Sequence, residues 1–147
     1  MQIVSIQPRT SPNTPMLIKL QWSNGNTSFI KIAYGKLEFV RPVKESIKWH
    51  FIPSGYKPNE NILKSVSRLI IISGKEILET SIEKLRISYS ENLKKQKEFF
   101  EKNGEYSQFL SDTLSSIYCQ AQNLKAGFKD IESLEANYRG GKNEKVC

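Results

Sequence analysis

Residues 18–34 are IKLQWSNGNTSFIKIAY, a stretch in which apolar and polar side chains alternate on both sides of a turn signal. Alternation with a period of two is typical of a strand with one buried and one exposed face. Asn24-Gly25 between two such runs is a strong hairpin signal, because both residue types tolerate a positive φ. The stretch therefore predicts two antiparallel strands. Their inward side chains would be Ile18, Leu20, Trp22, Ile30, Ile32 and Tyr34, and their outward side chains Lys19, Gln21, Phe29, Lys31 and Ala33.

Further strands are predicted on either side of this hairpin. Leu37 and Phe39 belong to the next predicted strand. We expect this strand to end at Pro42, because proline has no N–H group to donate to a neighbouring strand. Residues 3–6 are compatible with an additional edge strand. A last alternating run directs Ile47, Trp49 and Phe51 inward and Lys48, His50 and Ile52 outward.

The chain changes character after Pro58. No proline follows it, and apolar residues recur every three or four positions, as in amphipathic helices. Asn59 is a suitable N-cap for a short helix, and Gly74 is a suitable break after it. Residues 69–73 are β-branched enough that a buried strand is an open alternative to helix there.

Two long helices should follow, joined at Asn103-Gly104, with the second ending at residues 138–141. The predicted fold class is α+β: a small antiparallel sheet of three to four strands, then a long helical hairpin with one short extra helix. The predicted organisation is a β-rich basic part at residues 1–56, a helical part packed on it at residues 57–141, and a disordered tail at residues 142–147.

Size and composition narrow the class of protein. The chain has 147 residues, a formal net charge of +7 and two cysteines, which suits one soluble domain without a disulfide framework. Its longest apolar run, residues 69–72, is far short of the roughly 18 residues that a membrane span needs. The N-terminus does not resemble a signal peptide. We therefore expect a cytoplasmic protein that does not contact membranes.

Positive charge is concentrated in the first part of the chain. Residues 1–56 hold seven basic and two acidic residues, a net charge of +5, whereas residues 57–147 have a net charge of +2. If the strands pair as predicted, Lys19, Lys31 and Lys48 share the outward face with Phe29 and His50. Lysines attract phosphates and flat rings stack on unpaired bases.

This pattern predicts a non-catalytic basic protein that contacts nucleic acid, RNA or single-stranded DNA, through a lysine-rich sheet face. The alternative is a merely solvated face, since antiparallel sheets commonly expose one polar side to water. No helix-turn-helix spacing, zinc-finger cysteine pair or RNA-recognition box is present, so sequence-specific readout is not expected. The residues predicted to contact nucleic acid are Lys19, Phe29, Lys31, Lys36, Arg41, Lys48 and His50.

The helical hairpin has more apolar side chains than one partner helix would cover. Surplus apolar surface usually marks contact with another protein. We expect self-association, or docking as an accessory subunit of a larger assembly. An adaptor or inhibitor that docks through this hairpin is the alternative function. The residues predicted to bind the partner are Phe99, Phe100, Tyr106, Phe109 and Tyr118.

Catalysis, metal binding and a small-molecule cofactor are not predicted. His50 is the single histidine, and no cysteine or histidine pair has the spacing of a metal site. Cys119 lies in mid-helix, away from a helix N-terminus that would activate its thiol. Arg139-Gly140-Gly141-Lys142 lacks the preceding strand and following helix of a phosphate-binding loop.

Overall fold

Five antiparallel strands form one sheet, and their order in space follows their order in the chain. The computed structural model describes residues 1–11 and 14–146 and, within these ranges, the side chains up to Tyr138. The α+β class is confirmed, but the sheet has five strands rather than three to four. The strands are β1 (Gln2–Gln7), β2 (Met16–Gln21), β3 (Thr27–Ala33), β4 (Lys36–Glu45) and β5 (Lys48–Pro53).

The prediction that β4 ends at Pro42 is wrong. The pairing of β3 with β4 extends only to Phe29 and Val40, and beyond this point β4 pairs with β5. Pro42 therefore lies where the strand has a single neighbour, and a missing N–H is tolerated there. Residues 41–45 and 48–52 form a two-stranded ribbon that projects past β3, which we call the β-ribbon.

The predicted inner face of β2 and β3 is confirmed except at its end. Tyr34 is 93% exposed, so its prediction as a core residue is wrong. It forms a two-residue turn with Gly35, and both residues have a positive φ, 54° and 71°, as a tight hairpin turn requires. The strand alternation therefore stops at Ala33. The fully buried side chains of this face are Met16, Ile18, Leu20, Ile30 and Ile32.

The predicted orientation of β5 is also wrong. Lys44 pairs with Trp49, and Pro42 pairs with Phe51. Because Phe39 of β4 is buried against the helices, alternation turns Pro42 and Lys44 to the opposite side, and their partners with them. Trp49 is 62% exposed. Ile47, also predicted inward, is 87% exposed at the turn of the β-ribbon.

The helices begin with one continuous helical segment of 44 residues. It comprises α1 (Glu60–Leu69), a π-helical turn (Ile70–Gly74) and α2 (Lys75–Asn103), and it is followed by α3 (Gln108–Val146). Residues 69–73 are therefore helical, and the short helix is continuous with α2. The predicted break at Gly74 is wrong: a Cβ there would lie 2.9 Å from Cδ1 of Ile131, so this glycine allows α3 to approach closely.

Helix ends follow the local sequence in two of three places. Asn59 Oδ1 accepts a hydrogen bond from the Ile62 N–H at 2.9 Å, and Gly104 caps α2 with a φ of 72°. Both caps were predicted. The helix α3 does not end at residues 138–141 but continues to Val146, through most of the predicted tail. Cys147, the last residue of that tail, lies outside the described residues.

One hydrophobic core joins the sheet to the helices. Beyond Leu78 of α2 and before Leu124 of α3, the two helices pack chiefly on each other. We call residues 82–123 the helical arm, which extends about 30 Å at 1.5 Å per residue. The buried core residues are Met16, Ile18, Leu20, Ile30, Ile32, Phe39, Val66, Ile70, Ile71, Leu78, Ile131 and Leu134.

The two helices of the arm are tied together near their connection by a buried amide. Gln96 is 5% exposed. Its Nε2 donates to Ser107 O at 3.0 Å and to Ser111 Oγ at 2.8 Å, and its Oε1 accepts from the Ser107 N–H at 2.9 Å. A buried amide with all these partners orders the end of the arm.

Candidate nucleic-acid interface

The side of the sheet turned away from the helices combines lysines with aromatic rings. Strand alternation and pairing bring these side chains together from four strands. We call this surface the outer sheet face. Its defining residues are Lys19, Phe29, Lys31, Lys44, Trp49 and Phe51.

Two rings form the centre of the outer sheet face. The centroids of Phe29 and Phe51 lie 5.4 Å apart, with the ring planes at 60°, an edge-to-face arrangement that stabilises an aromatic pair. Val40, which pairs with Phe29, is only 4% exposed. Trp49 lies two residues from Phe51 on the same strand and leaves most of its indole in solvent.

Lysine amines are held close to these rings. Lys19 Nζ lies 5.8 Å from the Phe29 centroid, and Lys44 Nζ lies 5.9 Å from the Trp49 ring centroid. Both distances are within the range of cation–π attraction. A flat surface and a positive charge are therefore presented side by side at two points of the outer sheet face.

The third lysine is partly neutralised. Lys31 Nζ lies 3.7 Å from Glu38 Oε2 on the neighbouring strand. Both side chains are more than a third exposed, so this ion pair contributes little to stability. The ammonium group of Lys31 is therefore accessible to a phosphate that competes with Glu38.

The predicted nucleic-acid residues do not all lie on one surface. Lys19, Phe29 and Lys31 come together as predicted. The prediction that Lys48 and His50 share their face is wrong. The alternation of side chains in β5 is the reverse of the predicted one, which has the same effect as a register shift of one residue.

The two remaining predicted cations also lie away from the rings. Arg41 is exposed and, by strand alternation, is on the same side of the β-ribbon as Lys48 and His50. His50 Nε2 lies 3.9 Å from Glu45 Oε2. Lys36 begins β4 beside the turn and lines a cavity between this turn and the helices.

Sequence reasoning missed Lys44, Trp49 and Phe51 as members of this surface. The signal was present in the pairing of the β-ribbon. Glu45 and Lys48 flank a two-residue turn, so continuing β4 through Pro42 would have placed Lys44 opposite Trp49. The assumption that proline ends the strand concealed this register.

The predicted partner-binding rings lie on the helical arm, and four of the five are exposed. Phe100 and Tyr106 stack with centroids 4.6 Å apart and are 41% and 66% exposed. Phe109, 77% exposed, is close in sequence to this pair at the end of the arm. Phe99 is half-buried. Tyr118 is exposed nine residues after Phe109, about 13 Å further along the helix.

Among the described residues, no group of three or more histidine, cysteine or carboxylate side chains is arranged to hold a metal ion. Cys119 is an exposed free cysteine. In the described part of the chain, every helix is too short or too polar to serve as a membrane span.

Comparisons with family models, with curated proteins and with solved structures give no match to this chain.

Proposed function

We propose that the protein binds single-stranded nucleic acid, RNA or DNA, on the outer sheet face, without catalysis. The observation that carries the proposal is the exposed indole of Trp49, beside the Phe29–Phe51 pair and flanked by Lys44. Proteins that bind single strands without sequence preference combine a positive surface with rings on which bases stack.

The spacing of the rings favours a single strand over a duplex. Trp49 and Phe51 are two residues apart on one strand, which corresponds to about 6.6 Å at 3.3 Å per residue. Stacked bases in a duplex rise about 3.4 Å per nucleotide. Two bases that stack on these neighbouring rings must therefore be unstacked from each other, which a single strand permits at low cost.

The first test locates binding with tryptophan fluorescence. A Trp22→Phe variant leaves Trp49 as the single indole, and the half-buried Trp22, whose Nε1 donates to Ser28 Oγ at 2.7 Å, no longer contributes. Addition of oligo(dT) or oligo(U) should quench Trp49 emission. If three lysines contact phosphates, affinity should fall about 20-fold between 50 and 200 mM salt.

The second test compares matched charge changes by anisotropy of a labelled oligonucleotide. The variant Lys19→Glu/Lys31→Glu/Lys44→Glu should abolish binding, whereas Lys84→Glu/Lys94→Glu/Lys97→Glu on the exposed surface of α2 should retain most of it. Trp49→Ala should weaken binding by roughly 5- to 150-fold, equivalent to about 1–3 kcal/mol per stacked base. Equal losses in the two triple variants, or binding without Trp49 quenching, would refute this site.

The end of the helical arm supports a second function, docking to another protein or to a second copy of the chain. The specific observation is the exposed stack of Phe100 and Tyr106, with the exposed Phe109 three residues after Tyr106 in the chain. Aromatic side chains that are clustered and exposed in a monomer are typical anchors of protein interfaces. The variant Phe100→Ser/Tyr106→Ser/Phe109→Ser should lower self-association measured by light scattering at high concentration. A wild-type protein that stays monomeric in that measurement, and binds no partner in a pull-down, would exclude it.

A further inference from the structure

A cavity of about 550 Å³ opens on the helix side of the sheet, between α1, α3 and the β3–β4 turn. Its volume lies in the range of small-molecule sites, roughly 300–1,000 Å³. It is separate from the outer sheet face and from the end of the helical arm.

The wall of the cavity is mainly apolar. Leu37 of β4, Leu63 of α1 and Leu134 of α3 line it from three directions, together with Tyr138. Leu63 is 39% exposed although it belongs to the same face of α1 as Ser67, which is buried. An apolar side chain left partly open inside a concave site gains by contact with an apolar ligand.

The rim of the cavity is positively charged. Among the described side chains, Lys36, Lys64 and Arg68 line it together with one carboxylate, Glu60. Lys64 Nζ lies 3.5 Å from Glu60 Oε1. In the part of the chain that the structure describes, neither Lys36 nor Arg68 forms an ion pair. The rim therefore has two cations available to a ligand.

The walls are held in place by contacts within the protein. Asn137 Nδ2 donates a hydrogen bond to Gly35 O at 2.9 Å, which fastens α3 to the β3–β4 turn. A Cβ at Gly35 would collide with the Asn137 side chain. The cavity is thus formed by packing that exists before any ligand arrives, and a preformed site binds at a lower entropic cost.

We propose that this cavity binds a small amphipathic anion. Its apolar body would contact Leu37, Leu63 and Leu134, and its carboxylate, sulfonate or phosphate group would lie at the rim near Lys36 and Arg68. The two parts of the ligand correspond to the two parts of the site. An apolar wall alone would not distinguish an anion from an uncharged ligand, and a cationic rim alone could bind an anion without a cavity.

The test uses a pair of fluorescent probes that differ in charge. 1-Anilinonaphthalene-8-sulfonate has an apolar aromatic body and one sulfonate, and N-phenyl-1-naphthylamine has a closely similar body without charge. The full-length protein should bind the sulfonate more tightly than the uncharged probe. Dodecanoate should displace the sulfonate probe, whereas dodecanol should displace it poorly.

Variants assign the binding to this cavity. Lys36→Gln/Arg68→Gln should weaken binding of the sulfonate probe roughly 2- to 30-fold, as expected for the loss of two partly exposed ion pairs, and leave binding of the uncharged probe unchanged. Leu63→Gln, at a partly exposed position, should weaken both probes. The matched control Lys57→Gln/Lys84→Gln removes two exposed lysines elsewhere and should change neither.

Each outcome decides the proposal. Unfolding curves confirm that each variant is folded, and a variant that is not is replaced by Lys36→Gln or Arg68→Gln alone, expected to weaken the sulfonate probe by about half as many log units. Equal affinity for both probes, or sulfonate binding unaffected by the rim variants, would overturn it. Oligonucleotide binding is unaffected by these results, because the outer sheet face contributes no residue to the cavity wall.

Discussion

Gly35 is a residue at which the sheet and α3 meet directly. Its φ of +71° is one that other L-residues rarely adopt, and its carbonyl accepts the Asn137 hydrogen bond. Gly25 has a similarly positive φ of +88° but no atom within 4 Å of where a Cβ would lie. A side chain at Gly25 would therefore strain only the backbone conformation, whereas one at Gly35 would also cause a steric clash.

Replacing each of these glycines by alanine should give different losses of stability. Gly25→Ala should cost about 1–2 kcal/mol, the price of a left-handed conformation. Gly35→Ala should cost a further 1–3 kcal/mol or so, because the new methyl group displaces Asn137 and α3. Urea unfolding of both variants measures the difference. Equal losses would mean that α3 does not press on this turn.

Asp130 is a second residue whose environment has a measurable consequence. Its side chain is 14% exposed, Arg9 Nε lies 3.4 Å from its Oδ2, and this oxygen accepts no hydrogen bond. Burial raises the pKa of Asp130 above its ordinary value, and the charge of Arg9 offsets only part of this rise. The native state therefore holds the proton more tightly than the unfolded state.

This raised pKa fixes the sign of a pH effect. The contribution of Asp130 to the free energy of unfolding should fall as the pH rises from the pKa of Asp130 in the unfolded state to its higher pKa in the native state. At still higher pH the contribution should stay low. Asp130→Asn removes the charge, so its stability relative to the wild type should be higher at pH 7 than at pH 3. Urea unfolding of both proteins at pH 3 and pH 7 measures this difference in stability. A relative stability that falls with rising pH would show that the attraction of Arg9 outweighs burial.

At the scale of elements, the orientation of the β-ribbon determines which of its side chains lie on the outer sheet face. Local alternation correctly predicted which residues of β2 and β3 face the core, because both strands have neighbours on either side and a helix layer below. In β5 the same pattern predicts the wrong side. Beyond Val40 the β-ribbon has only two strands. The pattern of apolar residues there does not indicate which of its sides packs against the rest of the protein.

Two aromatic truncations test this orientation. Trp49→Ala should change the free energy of unfolding by less than about 1 kcal/mol, because its indole is mostly in solvent. Phe39→Ala on the neighbouring strand should cost about 3–5 kcal/mol, since Phe39 is 6% exposed and packs on Trp22 and Tyr56 at centroid distances of 6.3 and 5.0 Å. Guanidinium unfolding compares them. A large loss in Trp49→Ala would restore the inward orientation that the alternation predicts.

At the scale of the whole molecule, the core and the helical arm occupy different parts of the helices. The core residues on the helices lie between Val66 and Leu78 and between Ile131 and Leu134, whereas the arm lies beyond them. The arm is therefore expected to serve contacts with other molecules rather than the stability of the sheet.

Shortening the arm tests this division. Residues 86–121 can be replaced by a short Gly-Ser linker, because adjacent antiparallel helices are only about 8–10 Å apart. The shortened protein should unfold in one cooperative transition. If the two proposed functions are correct, it should also bind oligonucleotides with the affinity of the full chain and self-associate less than the full chain. Circular dichroism, anisotropy and light scattering measure these properties. Loss of the cooperative transition would mean that the arm is part of the folding unit.

The candidate interface could be predicted only in part for the same physical reason. Lys19, Phe29 and Lys31 were placed correctly because each lies in a strand whose inward neighbours are strongly apolar. Lys44, Trp49 and Phe51 depended on a register that passes through a proline. The cavity beneath the β3–β4 turn had no signal in the sequence, since its walls come from three segments far apart in the chain.

The α+β class, the central hairpin, the caps at Asn59 and Gly104, and the positive charge of the β-rich part can all be read from the amino-acid sequence. These properties depend on residues within a few positions of one another, where periodicity, backbone preference and hydrogen bonding act directly. Long-range packing sets which side chains of the β-ribbon lie on the outer sheet face, the close approach of α3 at Gly74, and the position of Lys36 and Arg68 around one cavity. These depend on which distant segment packs against which, because burial is a property of the surrounding molecule and not of the local chain.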